Sequence, residues 1–129
     1  MSELALHLTV LKGAFALCRL SPGEAIPAWA TLGAFHSITR TADELSIVVP
    51  EGSVPPSVRA QGGFRCIGVE GPFDLASVGV VASLAGPLAQ GGVSLFVLST
   101  FDTDYLLVHA ESFDLALQIL EGAGHRVER

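Results

Sequence analysis

Apolar and polar residues alternate along this chain in several short runs, which is the pattern of a half-buried β-strand. Two such runs, 4–11 and 14–20, flank the turn residues Lys12-Gly13, and we expect them to pair as a β-hairpin. Further strands are predicted at residues 33–39, 44–49, 64–70, 93–99 and 105–109, with a short last strand at 125–128.

A helical period marks the segment near the C-terminus. Apolar residues recur there at i, i+3, i+4 and i+7, which predicts a helix over 111–121 that ends at Gly122. The residues on its apolar face are Phe113, Ala116, Leu117 and Leu120.

A second helix is predicted from Leu75 to about Ala89, with Asp74 as the residue that caps its first turn. Gly79 and Pro87 weaken this helix, so we expect packing against a sheet to hold it. The residues expected on its buried face are Leu75, Val78, Ala82, Ala85 and Ala89.

The chain also nearly repeats itself. Residues 35–51 align without gaps on residues 95–111, an offset of sixty positions, so that Glu44 stands opposite Asp104. Each copy contains a strand, a hydroxyl-rich turn with an acid, and a second strand. A duplicated unit this small cannot easily bury its own apolar face, so we expect the two copies to pack together.

The repeat divides the chain into a first unit at 1–61, with degenerate helices, and a second unit at 62–129. The second unit has the order β-α-β-β-α-β of a ferredoxin-like α+β fold. The first unit has the same skeleton with one extra strand. Function is then expected between two similar surfaces rather than in one catalytic cleft.

Composition adds an excess of apolar residues to this picture. Half of the 129 residues are hydrophobic, only 16% are charged, and the mean hydropathy is +0.54. We expect the surplus to be buried between repeats or between subunits, and a homodimer is the expected assembly. No apolar run approaches the roughly 20 residues of a membrane helix, and the Met-Ser-Glu start does not resemble a signal peptide, so a cytoplasmic location is expected.

The net charge of −6 and the lack of a basic stripe argue against nucleic acid and anionic membranes as partners. Cys18 and Cys66 each lie in an apolar run, and we interpret them as small buried hydrophobes. A disulfide between them is the less favoured alternative, and the chain has no Cys-x-x-Cys motif.

Catalytic motifs are absent from the sequence. It has no Gly-x-Ser-x-Gly elbow, Walker-A loop or Gly-x-Gly-x-x-Gly, so we predict no catalytic residue and no cofactor. His36, Ser37 and Asp43 are triad residue types, but neighbours on a strand point to opposite faces. Asp102 and Asp104 can hold Mg²⁺ only with ligands that the sequence does not show, and the histidines are scattered, so no metal site is predicted.

Four stretches of the chain carry a family resemblance. They are residues 39–50 (TRTADELSIVVP), 71–74 (GPFD), 79–88 (GVVASLAGPL) and 99–108 (STFDTDYLLV). Together they resemble the tandem ACT-domain family of small bacterial proteins, which is similar in sequence to the ACT halves of eukaryotic cytosolic arginine sensors. The resemblance implies a ferredoxin-like tandem pair that binds an amino acid or similar small metabolite at an ACT–ACT interface.

The resemblance also implies where ligand contacts lie. They fall on the loop and helix start of the second unit and on the second repeated hairpin, at Gly71, Pro72, Phe73, Gly79, Val80, Thr100, Phe101 and Asp104. In the first copy, Arg40 and Thr41 are expected to stand where Thr100 and Phe101 stand. That copy is therefore expected to be degenerate or complementary.

These residue types suit an amino acid, which presents a carboxylate and an ammonium group. A helix start offers unpaired amides to the carboxylate, Asp104 can pair with the ammonium, and Phe101 can cover an apolar or cationic side chain. The competing interpretation is that residues 100–103 are an ordinary β-turn whose side chains satisfy local backbone groups. Arg40 can likewise clamp a carboxylate or pair with a neighbouring acid at the hairpin rim, and the rim interpretation is favoured.

The sequence therefore favours a non-catalytic sensor or regulatory module that binds a small molecule. The alternative is a structural or protein-interaction module that has no small-molecule ligand. A small ferredoxin-like enzyme is a third possibility, because that fold hosts many chemistries, but no residue constellation recommends it.

Overall fold

The structure is a computed structural model, and it describes residues 4–71 and 79–129. Within those ranges the strands are β1 (His7–Val10), β2 (Phe15–Leu20), β3 (Ser37–Arg40), β4 (Leu45–Pro50), β5 (Ala60–Val69), β6 (Phe96–Ser99), β7 (Asp104–His109) and β8 (Arg126–Glu128). The α-helices are α1 (Val80–Gln90) and α2 (Phe113–Gly122). Short 3₁₀ turns lie at Ala28–Thr31, Glu51–Ser53 and Ala110–Ser112.

The chain forms two compact units. The first unit is Gly13–Phe64, and the second unit combines Met1–Lys12 with Arg65–Arg129. Strand β5 contributes its first five residues to the first unit and its last five to the second. The division of the sequence into ACT-like repeats at 1–61 and 62–129 stays a prediction.

The first unit has the strand order β3-β4-β2-β5, and all of its pairings are antiparallel. This is the ferredoxin-like order, with 3₁₀ turns at Ala28–Thr31 and Glu51–Ser53 where the fold ordinarily has helices. The reduction of the first-unit helices is thus confirmed. Its core includes Leu45, Ile47 and Val49, which alternate along β4 and are fully buried.

The second unit has the strand order β8-β1-β5-β7-β6, with α1 and α2 packed over the sheet. Strand β1 lies between β8, to which it is parallel, and β5, to which it is antiparallel. The predicted hairpin of 4–11 with 14–20 is therefore wrong. The buried positions explain the difference, because Leu6 and Leu8 lie in the core under the two helices.

Helix α1 differs from its prediction in the face that it buries. The buried residues are Val80, Ser83, Leu84 and Leu88, whereas Ala82 and Ala89, predicted to be buried, are exposed. Leucine and valine bury more apolar surface than alanine, so the helix turns these residues inward. The predicted start of this helix, with the Asp74 cap, lies outside the described residues.

Pro87 leaves a gap in the hydrogen bonding of α1, and His125 fills it. Proline has no N–H, so the carbonyl of Ser83, four residues earlier, has no helical donor. The Nε2 atom of His125 lies 3.0 Å from that oxygen. The other ring nitrogen, Nδ1, accepts the Leu6 N–H at 3.1 Å, so Nε2 carries the proton and donates to Ser83. The buried ring therefore joins the chain before β1 to the middle of α1.

Helix α2 agrees with its prediction. Phe113, Ala116, Leu117 and Leu120 are all buried, as the i, i+3, i+4, i+7 pattern indicates. They close the core of the second unit against Ile67 and Val69 of β5 and Leu106 and Val108 of β7.

The two hairpins have the same register, but their offset is fifty-nine residues and not sixty. Ser37 pairs with Val48 in the first hairpin, and Phe96 pairs with Leu107 in the second. The ungapped sequence alignment is therefore wrong by one position in this region. Hydrophobic residues occur at successive positions in both hairpins. A shift of one residue therefore still aligns apolar residues with apolar residues, and the sequence alone does not reveal it.

The turns of the two hairpins agree with the corrected offset. The Thr41 N–H donates to the Glu44 carbonyl at 2.9 Å, and the Thr100 N–H donates to the Thr103 carbonyl at 2.8 Å. Thr100 thus corresponds to Thr41, and the expectation that Arg40 stands in its place is wrong. Both turns are Thr-x-Asp-x sequences whose first threonine accepts a backbone N–H on its hydroxyl.

Candidate functional site

The end of β5 and the start of β7 lie side by side in the second unit. The hydroxyl of Thr103, the residue before β7, donates to the carbonyl of Val69, the last residue of β5, at 2.5 Å. Gly71 follows that strand end by two residues and is exposed. The structure therefore brings Gly71 to the same end of the unit as the turn at Thr100 and Asp104.

The start of α1 lies at this end as well. The N-cap of the helix is Gly79, and a Cβ placed on it would lie 3.9 Å from the side chain of Leu4. Leu4 precedes β1, whose first residue, His7, accepts the backbone N–H of Glu70 at the end of β5. Gly79 has φ of 87°, a left-handed conformation that glycine adopts without strain.

Asp104 supplies a carboxylate on the helix-covered side of the sheet. Residues at alternate positions of a strand share a face, so Asp104 lies on the same face as Leu106 and Val108, which are in the core under α1 and α2. Its side chain is half-buried, and its Oδ1 accepts the Ser99 hydroxyl at 2.5 Å. A carboxylate has about four acceptor positions, so this one can accept further hydrogen bonds.

The other predicted residues have different surroundings. Thr100 uses its hydroxyl and amide within the turn, as the competing interpretation of that turn expects. Phe101 stands at the tip of the turn and is 78% exposed, whereas Val80 is buried in the core. Pro72 and Phe73 lie outside the described residues. A ligand contact by any of the eight residues stays a prediction.

Two residues at this end were missed by the sequence analysis. Ser99 orients the Asp104 carboxylate, and Thr103 fastens the turn to β5. The register of the second hairpin pairs Ser99 directly with Asp104. A correct prediction of that register would have identified Ser99 as a neighbour of the carboxylate. The ungapped repeat alignment concealed that register.

The cysteines offer no nucleophile to this end of the unit. Both are free and buried. Burial raises the pKa of Cys66 from its ordinary value of 9.0 to about 12 and also raises that of Cys18. The thiolate is the reactive form, so both residues are inert at neutral pH, as expected of small buried hydrophobes.

At pH 8 both thiols of the folded protein are expected to react with a disulfide reagent at least tenfold more slowly than those of the urea-unfolded chain. The folded state holds the Cys66 proton to higher pH than the unfolded state does. The unfolded state therefore binds fewer protons at alkaline pH, and the free energy of unfolding falls as the pH rises from about 9 to about 12. Cys66→Ala should flatten that part of the profile, and equal thiol rates in both states would contradict the burial.

Grouped metal ligands and membrane-spanning helices are both lacking in the described residues. Within 4–71 and 79–129, no three His, Cys, Asp or Glu side chains are grouped so that they could hold a metal ion. His7 lies 3.0 Å from a Glu70 oxygen and 3.4 Å from a Glu128 oxygen, as a bridge between strands. In the same part of the chain, no helix has the length and apolarity required to span a membrane.

Two family models match the sequence. One is described as an ACT domain and matches residues 59–122. The other is described only as an N-terminal domain and matches residues 13–57.

Known proteins resemble this chain at three levels. A crystal structure of the protein Atu0741 from Agrobacterium tumefaciens is 43% identical, covers 97% of this chain and 93% of its own, and has a TM-score of 0.92. The regulatory subunit of aspartate kinase from Thermus flavus is 11% identical, with coverage of 90% and 95% and a TM-score of 0.63, which shows a shared fold. The cytosolic arginine sensor for mTORC1 subunit 1 from Homo sapiens is 34% identical over 50 residues, which are 39% of this chain and 15% of the sensor.

Proposed function

This chain belongs to the ACT-domain family, and from that membership we propose that it is a regulatory module that binds an amino acid in its second unit. The observation that carries the proposal is the half-buried Asp104 carboxylate, held by Ser99 at the end of the unit where α1 begins. That arrangement offers complementary partners to both charged groups of an amino acid.

The ammonium group suits Asp104. A carboxylate that is partly removed from water interacts more strongly with a cation than an exposed one does, because the local dielectric constant is lower. The Ser99 hydroxyl fixes one oxygen and leaves the other free to accept from the ligand. The exposed ring of Phe101 can close over the side chain of the ligand.

The carboxylate group suits the start of α1. The first amides of a helix have no helical acceptor, and the helix dipole favours a negative charge there. The first turn of α1 contains no acidic residue that would repel an anion. Gly79 lets the chain approach a ligand closely, since it has no side chain in the way.

We further propose that the module is non-catalytic, works in the cytoplasm and forms a homodimer. In this proposal an ACT unit of a second copy completes the site at an ACT–ACT interface. Support comes from the exposed apolar side chains of Phe101 and Val81, which are 78% and 37% exposed at the end of the unit that carries the site. Sedimentation of the purified chain measures the assembly, and a monomer at all concentrations would contradict the dimer.

Asp104→Asn is expected to remove the stabilisation that an amino-acid ligand gives, without unfolding the protein. A ligand at about a hundred times its dissociation constant adds roughly 2.7 kcal/mol to the free energy of unfolding. Asparagine keeps an oxygen that can accept from Ser99 but loses the charge that pairs with the ammonium group. A thermal-shift screen against the twenty amino acids, with wild-type and variant protein, measures the effect.

Asp102→Asn is the matched control, since Asp102 is an exposed acid in the same turn. It removes the same charge two residues away and should keep the full ligand response. If Asp104→Asn also keeps it, the site lies elsewhere. If no amino acid stabilises the wild-type protein, the interaction-module function is favoured.

A further inference from the structure

In each unit, a strand that pairs with the second strand of the hairpin ends beside the hairpin turn. The end of β2 pairs with the start of β4, just as Thr103 fastens the start of β7 to Val69 at the end of β5. Pro22 and Gly71 each follow those strand ends by two residues. Their carbonyl groups therefore have the same position in sequence relative to the strand that ends beside each turn.

In the first unit a cationic side chain fills this place. The guanidinium of Arg40, the last residue of β3, donates a hydrogen bond to the carbonyl of Pro22. The segment around Pro22 is closed by its own bonds, from the Glu24 N–H to the Ser21 carbonyl at 3.1 Å and from the Ser21 N–H to the Glu24 carboxylate at 2.8 Å. The first unit thus carries its own cation beside the Pro22 carbonyl.

In the second unit the chain has no cationic residue at the position that matches Arg40. The corrected offset of fifty-nine residues aligns Arg40, Ala42 and Leu45 of the first unit with Ser99, Phe101 and Asp104 of the second. The cation is thus replaced by a short hydroxyl, a small residue by an exposed aromatic ring, and a buried leucine by a half-buried carboxylate. Each of the three changes favours a cation supplied from outside.

We infer that the two units are a filled and an open form of one site, and that the ligand of the second unit carries a cationic side chain. Its guanidinium or alkylammonium group takes the place that the Arg40 guanidinium takes in the first unit. The acceptor of this side-chain cation is the Gly71 carbonyl, and the Phe101 ring covers it, while the Asp104 carboxylate binds the α-ammonium group of the same ligand. This inference rests on the proposed function and adds the class of the ligand and a stoichiometry of one ligand per chain.

Matched pairs of probes test the side-chain charge. L-arginine and L-citrulline differ in charge but have nearly the same shape. L-lysine and L-norleucine also differ in charge and have side chains of similar length. Calorimetric titration of the full chain is expected to show binding of the cationic member of at least one pair, at least tenfold tighter than its neutral partner, with one site per chain.

Ser99→Arg installs the internal cation of the first unit in the second. It is expected to weaken binding of the cationic probe at least tenfold. Ser94→Arg is the control, because it adds the same charge at an exposed position that precedes β6 and should leave binding unchanged. Far-ultraviolet circular dichroism checks that both variants are folded.

Arg40→Ser tests the internal occupant without any ligand. The amides of Ser21 and Glu24 are expected to exchange with solvent at least tenfold faster, whereas those of the 100–103 turn do not change. Unchanged exchange at Ser21 and Glu24 would contradict the role of Arg40.

The outcomes separate this inference from the proposed function. Equal binding of neutral and cationic probes, undiminished binding by Ser99→Arg, or two sites per chain would overturn the inference and leave amino-acid binding intact. Binding of an acidic amino acid alone would do the same. Failure of all twenty amino acids to bind would overturn both.

Discussion

Replacing His125 with alanine is expected to lower the free energy of unfolding by about 3–4 kcal/mol. The change removes the acceptor of the Leu6 N–H and the donor to the Ser83 carbonyl, and it leaves a cavity where the buried ring lay. A buried polar group left without a partner costs about 1–3 kcal/mol. Urea unfolding followed by circular dichroism measures the difference, and a loss below about 1 kcal/mol would contradict the bridging role of the ring.

Pro87→Ala tests whether His125 stabilises the protein through its hydrogen bond to the Ser83 carbonyl. Alanine restores the N–H that the Ser83 carbonyl lacks, so this substitution should recover part of the stability of His125→Ala. In the wild-type background His125 already satisfies that carbonyl, and the same substitution should stabilise less. An equal effect in both backgrounds would show that the two residues are not coupled.

Leu117→Ala is expected to lower the free energy of unfolding by about 3 kcal/mol. Leu117 is fully buried in the core of the second unit, where α2 packs over β5 and β7. Truncation leaves a cavity that the surrounding strands and helices fill only in part, because protein interiors are closely packed. Chemical unfolding of the purified variant measures the loss.

Leu115 is the matched control on the same helix. It is 48% exposed, so Leu115→Ala should change the free energy of unfolding by less than about 0.5 kcal/mol. The contrast between two leucines that are two residues apart tests the face that α2 buries. Equal losses at both positions would contradict that face.

The sequence predicts helices and strands best where one period dominates. The four buried residues of α2 are spaced at a strict helical period and were predicted correctly. In α1, small and large apolar residues lie on several faces, so the pattern alone did not choose Leu84 and Leu88 over the alanines. Side-chain size decided that choice.

Long-range pairing was less predictable than the individual elements. The position of β1 between β8 and β5 depends on pairings between residues that are 57 to 119 positions apart, and a turn signal at Lys12-Gly13 carries no information about them. The register of the repeated hairpins was hidden for a related reason, since a shift of one residue still aligned apolar positions. The turn hydrogen bonds of Thr41 and Thr100 resolve it.

The candidate site was predictable as a region but not as a set of contacts. Asp104, Phe101 and Gly79 were singled out on a resemblance, and the structure brings them to one end of the second unit. The hydroxyl of Ser99 and the internal occupant Arg40 emerged only from side-chain positions. Ser99 orients the Asp104 carboxylate, and Arg40 is the basis of the charge that we propose for the ligand.

Nuclear magnetic resonance mapping with uniformly ¹⁵N-labelled protein tests the central claim most directly. Titration with each of the twenty amino acids is expected to shift the amide signals of Gly71, Gly79, Thr100, Phe101 and Asp104 for at least one of them. Signals of the matching turn at 41–44 in the first unit should stay in place. Shifts confined to the first unit, or no shift with any amino acid, would contradict an amino-acid site at this end of the second unit.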